Sequence, residues 1–207
     1  MFTQLFLLFI FFALPTHTHA HPNSGPNTSE QLFLEKLNQR DIIALVTVED
    51  HYDNSSGEQL TREQKLNFKL AGVHRRSCNK ILPILSRYEK YDEYLSFIKK
   101  SQYDERNKLI LFLLDHALIP SPFYLMFKLD RIKTIGNYPF HFDGGIFPGL
   151  TGTITIQESS ERCRIFIHAH WQGTPTRFPS FILELFSETI AKIGIEALFR
   201  EADRAHN

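Results

Sequence analysis

The stretch PSFILELFSETIAKIGIEALFREADR, Pro179 to Arg204, decides how this chain folds. Phe181, Ile182, Leu185, Phe186, Ile190, Ile193, Ala197 and Leu198 recur at the three- and four-residue spacing of one helix face, while Glu184, Glu188, Lys192 and Glu196 occupy the opposite side. Pro179, with its φ fixed and no N–H to donate, suits the first turn. About 24 residues at about 1.5 Å each give a helix of about 36 Å, long enough to lie across a whole sheet. An apolar face of that length has to be covered by another layer.

The preceding residues supply the cover. From Gln102 to Gln172 the apolar runs are short, alternate with polar residues and are separated by turn chemistry, which predicts consecutive antiparallel strands. Six are expected, at about 101–106, 108–116, 123–132, 138–143, 150–157 and 162–172, with turns at Asn107, Pro120 with Pro122, Gly136-Asn137, Gly144-Gly145 and Ser159-Ser160. Between Ser77 and Lys99 the spacing of Ile81, Leu82, Leu85, Tyr88, Tyr91, Tyr94, Leu95 and Ile98 is helical, interrupted by Pro83, so two short helices or one bent pair are predicted. Further upstream, Leu66, Phe68 and Leu70 alternate with polar residues in a strand ending near His74, and Ile42 to Val48 is a β-branched-rich strand. The polar stretch Asp50 to Glu63 turns the chain between them. Thr28 with Gln31 forms a capping box that predicts a helix from Glu30 to Gln39, with Leu32, Phe33 and Leu37 inward.

This order of elements resembles the helix-grip fold of START lipid-transfer domains, plant pathogenesis-related class 10 (Bet v 1-like) proteins and polyketide cyclase-like proteins. Two stretches carry the likeness. Leu85-Ser86-Arg87-Tyr88-Glu89-Lys90-Tyr91-Asp92-Glu93-Tyr94-Leu95 is similar to the "l-x-D-y-e-x-y-p-e-f" stretch of the cyclase-like branch, with Arg87 where Asp is usual. Ile119-Pro120-Ser121-Pro122-Phe123, running on to Asp130-Arg131, is similar to that branch's Pro-rich entry to a central strand. The resemblance spans about Ile42 to Arg204. It implies an α+β fold in which a curved antiparallel sheet wraps the long C-terminal helix. About seven strands and an extra N-terminal one are expected, with two short helices after the first grip strand. It further implies an apolar cavity between sheet and helix and a role as binder or carrier, or less commonly as a cyclase or aromatase. It transfers no catalytic constellation, no metal and no cofactor.

Parity along the strands assigns the faces. Ile165, Ile167, Ala169 and Trp171 share one side of the last strand, and Arg164, His168 and His170 the other. The apolar side is inward, as are Ile154 and Ile156, Tyr138, Phe140 and Phe142, and Phe123, Leu125, Phe127 and Leu129. Together with Ile182, Leu185 and Ile190 of the helix, these are the candidate ligand-binding residues. Arg131 shares the inward parity of its strand. It pairs with a carboxylate, reaches solvent at the strand end, or anchors an anionic ligand head group. Tyr103, Tyr138 and Arg131 are the candidate acids or bases if the cavity is a cyclase site.

Other chemistries have less support. His168 and His170, with His141 and Asp143, present imidazole and carboxylate on polar outer faces, where exposed histidines need no metal to explain them. Asp115-His116 adjoin in sequence, but no Gly-x-Ser-x-Gly elbow accompanies them. The 23 acidic residues balance the 23 Lys and Arg, so the chain lacks the concentrated positive charge that binds nucleic acid. In the resembling fold the first grip strand runs antiparallel to the last, which brings the neighbourhoods of His74 and Arg162 together. Cys78 and Cys163 flank those points, as a disulfide or as two separate buried thiols.

The N-terminus predicts export. An uncharged apolar run from Leu5 to Leu14 ends in Thr18-His19-Ala20, a small-x-small cleavage signature, although Met1 to Gln4 carries no Lys or Arg. The run is about half the roughly 20 apolar residues that span a bilayer, so a cleaved signal (1–20) is the reading, with an uncleaved membrane anchor as its alternative. Residues 21–29 form a polar leader and 30–207 one domain. Of nineteen Phe, five fall in the signal, which leaves fourteen, with seven Tyr, for a bulky core or a lined cavity. Three functions follow: an exported carrier of a hydrophobic molecule such as a lipid, quinone or polyketide, with transient membrane contact; a cyclase; or an interaction module with a filled core. An apolar cavity of about 300 Å³ or more favours the first two. Oligomeric state is left open. Expression in a secreting host should yield a chain beginning at His21; an intact mass that retains the first twenty residues would favour the anchor.

Overall fold

A computed structural model describes Leu37 and residues 42–53, 61–115 and 121–205. The signal, the leader and the turn around 54–60 lie outside these, as does the expected helix at 30–39 except for Leu37, which is helical. The elements in chain order are strands β1 (Ile42–Asp53) and β2 (Thr61–His74), helix α1 (Cys78–Leu85), a 3₁₀ turn (Tyr88–Lys90) and the one-turn helix α2 (Tyr91–Tyr94). Strands β3 (Ile98–Asp104), β4 (Leu109–Leu114), β5 (Phe123–Leu129), β6 (Gly136–Gly145), β7 (Thr151–Ser159) and β8 (Arg162–Gly173) follow, and α3 (Ser180–Arg204) ends the order. The strands form one curved antiparallel sheet in the order β1-β2-β8-β7-β6-β5-β4-β3. Pairing of β2 with β8, Gln64 opposite Gly173 to His74 opposite Cys163, joins the two ends of the strand sequence. The sheet is the expected seven-stranded grip extended by β1.

The alternation that predicted the strands is visible in their burial. Ile110, Phe112 and Leu114 of β4 are buried between half-exposed neighbours, and β6 alternates along its whole length. The expected helical span to Lys99 is shorter. The helix breaks at Arg87, Leu95 is extended, and Ile98 already belongs to β3. A turn and a strand start reproduce the three- and four-residue spacing by accident, because Tyr88 and Ile98 enter the same core from different elements.

Helix α3 is rotated from the predicted face. Leu183, Gly194, Ile195, Ala197, Leu198, Phe199 and Ala202 are buried, whereas Phe181 and Leu185 are each 66% exposed and Ile193 37%. Small residues explain the rotation. Phe199 and Ile195 pack so closely over Gly72 of β2 that an added Cβ would come within 3.0 Å of the Phe199 ring, and Gly194 sits against Phe97. The helix therefore turns its glycine-accommodated side to the sheet.

Both ends of α3 are pinned. At its C-terminus, Asp203 meets His74 Nε2 and Arg76 Nε, each at 3.3 Å. Before its N-terminus, the fully buried Gln64 accepts from Thr176 N–H at 2.8 Å and donates to the Phe178 carbonyl and Ser180 Oγ. Glu184 accepts a 2.6 Å hydrogen bond from the Val48 N–H of edge strand β1.

Cys78 and Cys163 form a disulfide with Cα atoms 4.6 Å apart, which ties the start of α1 to the start of β8. Beyond it, Tyr88 is 2% exposed; its hydroxyl donates to the Asp130 carbonyl at 2.9 Å and accepts from Ile132 N–H at 3.0 Å. Burial raises its pKa well above the ordinary tyrosine value.

Two stability tests follow. A disulfide spanning 85 residues contributes about 2–4 kcal/mol, so Cys78→Ala with Cys163→Ala should lower the urea midpoint without changing the far-ultraviolet spectrum. An unchanged midpoint would mean that the bond contributes nothing. The tyrosine gives a pH signature: a raised folded-state pKa leaves stability complete below the unfolded tyrosine's value of about 10 and removes it as pH rises further. Tyr88→Phe orphans the Ile132 N–H and should cost about 1–2 kcal/mol at neutral pH. The wild-type and variant midpoints should nevertheless converge between pH 8 and pH 11; parallel curves would exclude the effect.

Candidate functional site

The inward face of the sheet divides into a filled end and a hollow end. At the filled end, Ile110, Leu129, Ile156 and Ile165 pack with Ile81, Ile84 and Leu85 of α1 and with Ile195, Leu198 and Phe199 of α3 in one cluster. At the other end lies a partly open cavity of about 220 Å³. Leu66 and Phe68 of β2, Leu114 of β4, Phe123 and Leu125 of β5, and Phe140 and Phe142 of β6 line it together with Ile167 and Ala169 of β8. Phe147 and Leu150, from the turn between β6 and β7, and Phe186, Ser187, Ile190 and Ala191 of α3 complete the lining. The helix ends are held, so its middle bridges the cavity rather than collapsing onto the sheet.

Local geometry shapes the wall. Phe127 stacks on Phe142 with ring centroids 4.8 Å apart and meets Phe112 edge-on, sealing the side toward the filled core. Phe123 and Phe186 meet edge-on at 5.8 Å where β5 faces the helix. The turn carrying Phe147 is fixed by hydrogen bonds between Phe142 and Leu150 and between Gly149 and Phe142, with Gly149 at a φ of 85° that favours glycine. Phe147 packs edge-on against Trp171, whose Nε1 donates to the Pro148 carbonyl at 3.0 Å.

Of the residues expected to meet a ligand, Phe123, Leu125, Phe140, Phe142, Ile167 and Ile190 line the cavity. Leu129, Ile156, Ile165 and Trp171 are buried in packed core, and Phe127, Tyr138 and Ile154 pack against it. Ile182 does not line the cavity and Leu185 points to solvent, because the helix is rotated. Ala169, read as inward, also lines the cavity, whereas Leu66, Phe68, Leu114, Phe186 and Ala191 line it without having been in the candidate set, although the first three lie on strands read correctly. Leu150 shares the inward parity of Ile154 and Ile156 at the start of the expected strand 150–157 but was not in the candidate set, whereas Phe147 sits in a turn and Ser187 is a polar helix residue.

Arg131 lies past the end of β5 and outside the cavity lining. Its Nε meets Glu105 at 2.7 Å, its Nη1 meets Glu89 at 3.1 Å and also donates to the Ser86 carbonyl, and its guanidinium stands 4.4 Å from the Tyr103 ring centroid. The carboxylate-pairing alternative is therefore the one realised, which leaves Arg131 holding the β5–β6 connection to the segment after α1. The other candidate acids are also committed. Tyr103 Oη donates to the Leu129 carbonyl, and burial raises its pKa. Tyr138 Oη is bonded to Thr134. None of the three lines the cavity, and among the described residues its lining contains no titratable side chain.

On the outer face, His170 Nε2 lies 3.0 Å from Thr151 Oγ1, and His141 Nε2 is 3.6 Å from Asp143. Among the described residues no group of three or more His, Cys, Asp or Glu is arranged to hold a metal.

No family model matches the chain. No curated protein matches it either. Solved structures do. The Zhui aromatase/cyclase from Streptomyces sp. R1128 is similar over 69% of this chain and 96% of its own, with a TM-score of 0.56 at 12% identity. A START superfamily protein from Mycobacterium smegmatis is similar over 67% of this chain and 98% of its own, with a TM-score of 0.54 at 10% identity. Ara h 8.0201 is similar over 67% and 97%, with a TM-score of 0.51 at 12% identity. At such identities the likeness concerns architecture, and the chain has the START/polyketide cyclase-like helix-grip fold.

Proposed function

We propose that this protein is an exported binder or carrier of a small hydrophobic molecule, held beneath the middle of α3. The observation that carries the reading is the unfilled apolar cavity in a domain whose other end is densely packed. Its volume of about 220 Å³ is below the expected 300 Å³, so the cargo is small. An apolar cavity of about 150 Å³ already takes a benzene ring, which sets the scale at a one- or two-ring lipophile or a short acyl chain. A whole diacyl lipid does not fit that volume.

Other features support parts of this reading. The disulfide suits an oxidising compartment, as export requires. Phe181 and Leu185, exposed on the same helix just before the cavity-lining Phe186, suit transient contact with a membrane surface from which a lipophile is taken. A cyclase would need an acid or base in the cavity, and the described lining residues include none.

Native mass spectrometry of gently purified protein should reveal a copurifying lipophile. Ala191→Phe, which puts a ring into the cavity from the helix, should weaken uptake of a small aromatic probe such as naphthalene by at least about tenfold, a loss of about 1.4 kcal/mol. Equal uptake by a folded variant would place the ligand elsewhere and end the proposal.

A further inference from the structure

Among the described residues, Ser187 is the single polar side chain in an otherwise hydrocarbon lining. It stands on α3 between Phe186 and the Ile190–Ala191 pair, partly buried, and makes no hydrogen bond among the described residues. A serine in mid-helix can turn its hydroxyl back to the carbonyl four residues earlier, but here it is left for something in the cavity. Among the described residues no lysine, arginine or histidine lines the space, and Arg131 is engaged by Glu89 and Glu105 outside it.

We infer that Ser187 sets the ligand's chemical class: a small lipophile bearing one uncharged hydrogen-bonding oxygen, such as a phenol, alcohol or ketone, seated with that oxygen on the Ser187 hydroxyl. This rests on the cavity being the binding site. The physical argument has two sides. A neutral oxygen buried against hydrocarbon loses its water and needs one partner, which Ser187 supplies as donor or acceptor. An ionised carboxylate would lose far more solvation and meet no cation, so the anionic head group expected for Arg131 has no place here. A cavity of this kind selects by one hydrogen bond and rejects by charge.

A matched series tests it: naphthalene, 2-naphthol and 2-naphthoate, titrated calorimetrically into the purified protein and into Ser187→Ala and Ser187→Thr. The wild type should bind 2-naphthol roughly two- to tenfold more tightly than naphthalene, the worth of one hydrogen bond, and should not measurably bind 2-naphthoate. In Ser187→Ala the naphthol-to-naphthalene ratio should fall to about one, and Ser187→Thr, which keeps a hydroxyl, should restore it. A ratio unchanged in Ser187→Ala, or tight binding of the carboxylate, overturns the role of Ser187 while leaving the cavity as a binding site. Failure of every compound to bind the wild type overturns the cavity reading as well. Circular dichroism confirms that each variant is folded.

Discussion

The close approach of α3 to β2 at Gly72 is the contact on which the rest depends. A helix laid over a curved sheet gains stability by burying apolar area, and nothing in that force favours leaving a hollow beneath it. The hollow lies under the middle of the helix, between two packed ends. Phe199 and Ile195 settle onto a residue without a side chain, the Asp203 contacts hold the helix terminus, and α1 with its disulfide fills the remaining volume. Toward the other end Leu183, 1% exposed, packs with Val46, Val48, Leu66, Phe147 and Trp171, while polar groups centred on Gln64 hold the chain leading into the helix. A rod seated at both ends carries its middle over the cavity.

The same contrast explains why two halves of one sheet face, built from similar residues, behave differently. Ile165 and Ile167 are neighbours on the inward side of β8, yet the first is 2% exposed in packed core and the second lines the cavity. Their environments differ in what stands opposite. Tyrosines gathered around Arg131 complete the filled end, with ring on ring and guanidinium on ring, and so confine the polar chemistry of the interior to a place where it stabilises rather than reacts.

Much of this architecture was legible in the sequence because it is periodic. Alternation in strands such as Leu109–Leu114, the turn at Asn107 and a long helical spacing at the end sufficed for the element order, although Gly136-Asn137 and Gly144-Gly145, expected as turns, are the two ends of β6; the likeness to the helix-grip fold added the closure of the sheet that brings Cys78 to Cys163. What periodicity does not carry is rotation and vacancy. The first half of α3 is apolar on both sides, with Phe181 and Leu185 opposing Leu183, so hydropathy could not choose the face that Gly72 and Gly194 choose by allowing contact. Parity likewise says which way Leu129 and Leu125 point, and both point inward, but whether a residue meets a neighbour or a void depends on volume contributed from distant parts of the chain. Ser187 was invisible for the plainest reason, since a helical serine reads as surface.

The added strand β1 has a consequence for how molecules of this protein meet one another. An uncovered edge strand offers unpaired N–H and C=O groups to any passing chain, and α3 packs against the twelve residues of β1. Glu184 answers that hazard by placing its carboxylate on the Val48 N–H, where an incoming carbonyl would have to dock, and by adding a negative charge that a neighbouring backbone oxygen would have to approach. The strand that widens the grip is thus covered in part by the helix it helps to hold, and losing the Glu184 carboxylate would leave the Val48 N–H open to another chain's carbonyl.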